Sequence, residues 1–123
     1  MGPNALVAGD GSLYEPLGMR EPDSVFTRVW QYEVVEGRES EFERVYAGDG
    51  AWARLFERSE GFLGTELFRG LSDPRGYLTV DRFTSAEAFR TLLAQHATAY
   101  AELDRQAEGL TVSEQEIASG LQP

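Results

Sequence analysis

The chain has 123 residues, no cysteine, a formal net charge of −10, and arginine as its only strongly basic residue. That length holds one domain with a single core, and the acidic balance argues against nucleic acid or an anionic membrane surface as partner. Without cysteine there are no disulfides, thiol nucleophiles or thiolate metal sites; without lysine there is no Schiff-base chemistry and no phosphate-binding P-loop.

No apolar run reaches the ~18 residues that a membrane helix needs. The N-terminus lacks the basic flank and apolar stretch of a secretory signal, so the cytoplasm is the expected location. One histidine, His96, is present. A two-histidine metal site would need a second chain, and no metal site is expected.

Residues 1–24 hold Pro3, Pro16 and Pro22 and four glycines, with no period of 2 or 3.6. They read as an irregular N-terminal arm. Residues 25–35 are rich in β-branched and aromatic types and read as a strand. Phe26, Arg28, Trp30, Tyr32 and Val34 share one face, and Val25, Thr27, Val29, Gln31 and Glu33 the other. Residues 38–59 follow as a helix, with Phe42, Val45, Tyr46, Trp52, Leu55 and Phe56 on one side. Gly48-Asp49-Gly50 should kink or break it, because glycine costs about 1 kcal/mol against alanine in a helix. Gly61 suits a left-handed residue after the helix.

Residues 61–83 form the centre of the plan. Two apolar runs, about 62–69 and 77–83, flank a turn containing Gly70, Ser72, Asp73, Pro74 and Gly76, which makes a β-hairpin. Thr84-Ser85-Ala86-Glu87 reads as a capping box with Thr84 as N-cap. The helix that it opens carries Phe89, Leu92, Leu93, His96, Tyr100 and Leu103 on one face and should end near Glu108. Residues 110–117 alternate and read as a fourth strand, leaving 118–123 as a C-terminal tail.

The order is β-α-β-β-α-β: an α+β, ferredoxin-like domain over residues 25–117, with a four-stranded antiparallel sheet and both helices on one face. The strands are apolar on both parities, with Phe26 and Trp30 against Val25 and Val29, and Phe62 and Phe68 against Leu63 and Leu67. A two-sided apolar sheet needs cover on both sides. The second cover is expected from another copy, giving a homodimer through the sheet face.

Candidate site residues follow from the same faces. His96 lies on the apolar helix face, where it is either a satisfied core or interface residue or a base for a phenolic proton. Arg28 shares a strand face with aromatics and needs a partner if buried. Glu66 and Asp81 fall on the parity that supplies one. The pair is either structural or a clamp for an enolate or phenolate. Trp30, Tyr32, Trp52, Phe56 and Tyr100 offer flat apolar walls with polar handles, most of them core and one or two suited to lining a pocket. Which parity faces the helices is not fixed by the sequence.

Gly61-Phe62-Leu63-Gly64, Tyr77-Leu78-Thr79-Val80 and the join Phe83-Thr84-Ser85-Ala86-Glu87-Ala88-Phe89, in this order of elements, resemble the antibiotic biosynthesis monooxygenase family of the dimeric α/β-barrel superfamily. The resemblance covers about residues 25–117. It implies a dimer that oxygenates an aromatic or polyketide-like small molecule with O2 and no cofactor, neither metal nor flavin. In that reading His96 and Arg28 are the catalytic pair, with Trp30, Tyr32, Trp52, Tyr100, Glu66 and Asp81 around the substrate. A non-catalytic ligand-binding or accessory dimer and a polyketide cyclase-like enzyme share the plan. The haem-degrading branch is disfavoured, since Trp30, Leu92 and Glu102 stand at the positions of its asparagine, tryptophan and histidine.

Overall fold

The computed structural model describes residues 25–122 and, ahead of them, the backbone of two short paired strands, β1 (Leu6–Val7) and β2 (Leu13–Tyr14). The rest of the arm expected over 1–24 lies outside the described residues.

The domain is built on a four-stranded antiparallel sheet. Its strands are β3 (Val25–Val34), β4 (Phe62–Arg69), β5 (Gly76–Phe83) and β6 (Thr111–Gln122), in the order β4-β5-β3-β6. This is the ferredoxin-like plan, with the β4–β5 hairpin pairing through β5 onto the first strand of the domain. Four short helices cover one face: α1 (Glu39–Tyr46), α2 (Ala51–Phe56), α3 (Ala86–Gln95) and α4 (Ala97–Ala107). The Gly48–Gly50 break separates α1 from α2. A second break at His96, where the backbone leaves the helical region, separates α3 from α4. The continuous second helix expected from the periodicity is therefore two.

The helices cover the face that carries Arg28, Tyr32 and Val34 on β3 and Tyr77, Thr79, Asp81 and Phe83 on β5, all buried. Phe42, Tyr46, Trp52, Leu55, Phe56 and Leu92 descend from the helices to meet them. Each of these aromatic rings buries enough apolar area to dominate local stability. The opposite face carries Leu63, Phe68 and Leu78, all exposed, with half-buried Val25, Val29 and Val80.

Three local expectations change. The N-cap of α3 is Ser85, whose hydroxyl accepts from the Ala88 N–H at 3.0 Å; Thr84 still belongs to the strand-to-helix join, its N–H donating to the Gly61 carbonyl. Gly61 is not left-handed. A Cβ there would lie 2.5 Å from Thr84 Oγ1 and 2.6 Å from Ala88 Cβ, so close approach, not backbone conformation, excludes a side chain. Residues 118–122, read as a tail, continue β6 alongside β3 as far as the Val25–Gln122 pair. Backbone pairing holds most of them, since nearly every β6 side chain is exposed, and at the end the Gln122 side-chain oxygen accepts from the Thr27 hydroxyl and the Arg82 Nε–H.

Gly64 does adopt positive φ, +147°, and marks a bulge where the register shifts between Phe62 and Gly64. One extra residue on β4 reverses the faces beyond it. Thr65 and Leu67 thus turn toward the helices, and Glu66 turns away to pair with Arg82 on the outer face. The expectation that Glu66 sits beside Arg28 fails for this reason.

Candidate active site

Between sheet and helices lies an open cavity of about 240 Å³. Its floor is sheet: Arg28, Trp30 and Tyr32 from β3, Thr65 from β4, Thr79 and Asp81 from β5. Its roof is helical: Tyr46, Trp52, Phe56 and Tyr100. The walls are aromatic because the inward positions of β3 alternate with the outward ones, and because Tyr46, Trp52 and Phe56 recur at helical spacing across the α1–α2 break. Trp52 and Tyr100 meet edge to face at 4.9 Å, while Trp30 and Tyr32 stack at 6.5 Å.

The polar centre is the Arg28–Asp81 pair. The two residues face each other across β3 and β5, Arg28 Nη1 lies 3.5 Å from Asp81 Oδ2, and their side chains are 9% and 7% exposed. Thr65 Oγ1 donates to Asp81 Oδ1 at 2.7 Å. The guanidinium carbon also sits 4.2 Å from the Phe89 ring centre and 5.8 Å from that of Trp30, a cation–π arrangement that helps hold an interior charge. Burial pushes the Asp81 carboxyl above the ordinary aspartate value of 3.8, with the Thr65 hydrogen bond and the Arg28 charge opposing. A buried carboxyl at the edge of a cavity, with its pKa moved toward neutrality, is suited to exchanging a proton with a ligand.

The phenols around it are held neutral. Burial raises Tyr32, Tyr46 and Tyr100. Tyr32 Oη lies 3.2 Å from Thr79 Oγ1, and the Arg28 charge pulls Tyr100 back down. Two donors stand apart among the described residues. Trp30 Nε1 and Trp52 Nε1 are buried and reach no acceptor in hydrogen-bond geometry, although the Trp52 N–H lies near enough to the Tyr46 phenol to ease its ionisation against the larger effect of burial; both indoles line the cavity. Leaving such a donor unsatisfied costs about 1–3 kcal/mol, so an acceptor on a bound molecule is the natural complement.

Of the site residues expected from sequence, Arg28, Trp30, Tyr32, Trp52, Asp81 and Tyr100 come together here. Glu66 does not, for the reason of register given above. His96 does not either: it caps the α3–α4 break and is absent from the cavity lining. Tyr46, Thr65, Thr79, Asp104 and Glu114 line the cavity without having been singled out as site residues. Only Tyr46 carried a signal, its place on the apolar face of the first helix.

Residues 25–103 match the model of a family described as antibiotic biosynthesis monooxygenase. The chain belongs to the antibiotic biosynthesis monooxygenase family. It is similar to deoxynogalonate monooxygenase of Streptomyces nogalater, with 34% identity over 91 residues, 70% of this chain and 75% of that one. Among solved structures it resembles SnoaB, a cofactor-independent oxygenase from Streptomyces nogalater. The TM-score is 0.62 at 26% identity, over 77% of this chain and 92% of SnoaB. A Bordetella bronchiseptica protein shares the fold, with a TM-score of 0.65 at 22% identity over 81% of this chain and 98% of that one. Members of the family are typically dimers. No helix among the described residues of this monooxygenase-family chain is long and apolar enough to cross a membrane.

Proposed function

We propose that the chain is a cofactor-independent monooxygenase of the cytoplasm, acting on an aromatic or polyketide-like small molecule in the cavity over Arg28 and Asp81. The observation that carries the reading is the pairing, in one aromatic cavity, of a buried carboxyl of raised pKa with two indole N–H donors that reach no acceptor in hydrogen-bond geometry among the described residues. A cavity with orphaned donors favours a bound ligand over a silent, side-chain-filled interior. Asp81, not His96, takes the role of base.

The chemistry needs three services from the protein. Asp81 removes a proton from an activated methylene of the substrate, one flanked by aromatic rings or a carbonyl. The Trp30 and Trp52 N–H groups receive the negative charge that develops on the substrate oxygen. The aromatic walls keep water from quenching the anion. The anion passes one electron to O2, and the resulting radical pair recombines to form a C–O bond. Asp81 returns its proton to the peroxide oxygen. Loss of the second methylene proton with cleavage of the O–O bond then releases water. In balance, one methylene and one dioxygen give one carbonyl and one water, with the substrate as the only reductant. Arg28 holds the Asp81 carboxylate in place between proton transfers. The exposed side of the sheet, with Leu63, Phe68 and Leu78, is the face through which two copies join.

Oxygen uptake with a panel of anthrones and quinols tests this. Asp81→Asn keeps shape and loses the base, and uptake is expected to fall by about 10²–10⁴-fold. His96→Ala is expected to leave uptake at the wild-type rate. In the wild type, kcat/KM should fall on acidification with a midpoint above 3.8, because the base is lost as pH drops through the raised Asp81 pKa. Full activity in a folded Asp81→Asn protein overturns the assignment.

A further inference from the structure

The two ends of the cavity differ in charge. On the floor, Arg28 and Asp81 neutralise each other. The mouth holds two more carboxylates, Asp104 on α4 and Glu114 on β6, the latter opposite Tyr32 in register. Both residues are exposed, and neither has an ion-pair partner among the described residues. Glu114 accepts a hydrogen bond from the Thr111 hydroxyl at 3.1 Å. Their charge is felt inside: beyond the larger effect of burial, Glu114 disfavours ionisation of Tyr32 and Tyr46, and Asp104 that of Tyr46 and Tyr100.

A second observation at the same cavity points to a ligand independently of these acids. Trp52 is 8% exposed, lines the cavity, and its indole N–H reaches no acceptor in hydrogen-bond geometry among the described residues. That donor asks for an acceptor oxygen in the interior. The mouth asks for the opposite. A carboxylate there meets two like charges, with only an already paired guanidinium to answer them. A cation there meets two carboxylates at a cavity lined by Tyr and Trp rings, residue types whose ring quadrupoles attract cations.

We propose that this mouth selects its substrate by charge: the aromatic substrate carries a protonated amine at the end facing Asp104 and Glu114, and its acceptor oxygen lies against the indole N–H groups inside. The inference rests on the reading of this cavity as the oxygenase site. Asp104 and Glu114 are its specificity-determining residues.

Trp30 and Trp52 are the only tryptophans in the chain and both line the cavity, so intrinsic fluorescence reports binding without turnover. Three naphthols differing only in one substituent, aminomethyl, hydroxymethyl or carboxylate, are titrated at low salt and neutral pH. The aminomethyl probe should bind tightest, by about tenfold or more over the carboxylate, with the gap shrinking as salt screens the rim. In the Asp104→Asn, Glu114→Gln protein, whose changes are at exposed positions and so are structurally mild, the gap should close to about twofold. Equal binding of amine and carboxylate by the wild type overturns the proposal. So does a gap that survives the double substitution, or no quenching by any of the three. Oxygen uptake with anthrones bearing the same substituents is measured separately. A charge order without uptake keeps the selection and removes the oxygenase reading; uptake without a charge order does the reverse.

Discussion

The helix-covered face of the sheet has two ends that use aromatic residues in opposite ways. At one end Phe26, Phe56, Phe62, Phe83 and Phe89 pack on one another, with Phe83 5.7, 5.3 and 5.2 Å from Phe56, Phe62 and Phe89. Nothing polar is needed there, and the rings close. At the other end Trp30, Tyr32, Tyr46, Trp52 and Tyr100 surround open space. Each of those five carries an N–H or O–H that cannot be buried against hydrocarbon without loss. Arg28 stands on the boundary, over Phe89 on one side and Trp30 on the other. One sheet thus supplies a solid half for stability and a hollow half for a ligand, and the polar handles decide which is which.

Truncation in the solid half should show the largest effect on stability. Phe83 is wholly buried, and Phe83→Ala should lower unfolding free energy by about 3–5 kcal/mol, read from denaturant midpoints. A loss below about 1 kcal/mol would mean that this end is as loosely filled as the other. Arg28→Met comes next. It leaves Asp81 buried without its partner, an expected cost of about 3 kcal/mol. Adding Asp81→Leu should recover most of that loss while activity stays absent, which separates the pair's part in folding from its part in the reaction.

The division between the two ends was legible in part. Strand alternation put Arg28, Trp30 and Tyr32 on one side, and helical spacing put Tyr46, Trp52 and Tyr100 opposite, because burial drives both periods. Glu66 was misplaced because parity assumes an unbroken strand, and the extra residue at the Gly64 bulge reverses it. His96 was misplaced because the helix breaks at that residue, and no glycine or proline marks the break. Asp104 and Glu114 were invisible as site residues, since an exposed carboxylate on a helix or edge strand looks like any solvated one. The reach of β6 to Gln122 was hidden for a related reason: backbone pairing maintains it, and ASGLQ carries no alternating pattern.

The hollow half should also fail first in alkali. Tyr77, just beyond the cavity, is pushed up to about 12 by burial and by its hydrogen bond to Glu43, and burial raises Tyr32, Tyr46 and Tyr100 as well. A raised folded-state pKa means that the contribution of each phenol is intact below its unfolded value of 10.0 and is lost as pH climbs through the folded value. Stability should therefore hold to about pH 10 and fall steeply toward pH 12. Absorbance from these four tyrosinates should appear together with unfolding, not ahead of it. Titration of Tyr32, Tyr46, Tyr77 and Tyr100 near pH 10 in a folded protein would show the cavity walls to be wetter than their burial implies.

The smallest effect is the most diagnostic of the comparison. Trp52→Phe removes a buried donor that reaches no acceptor in hydrogen-bond geometry among the described residues, and keeps most of the ring. In the solid half, losing a buried ring's packing always costs stability. Here the orphaned N–H is removed with it, so the free protein should lose less than about 0.5 kcal/mol or gain up to about 1 kcal/mol. Ligand affinity and oxygen uptake should nevertheless fall by about tenfold, the worth of one hydrogen bond to a developing charge. Stability and activity moving in opposite directions at one residue is what a site waiting for its ligand produces. If both fall together, the Trp52 indole is ordinary core, and the hollow half differs from the solid half only in how well it is packed.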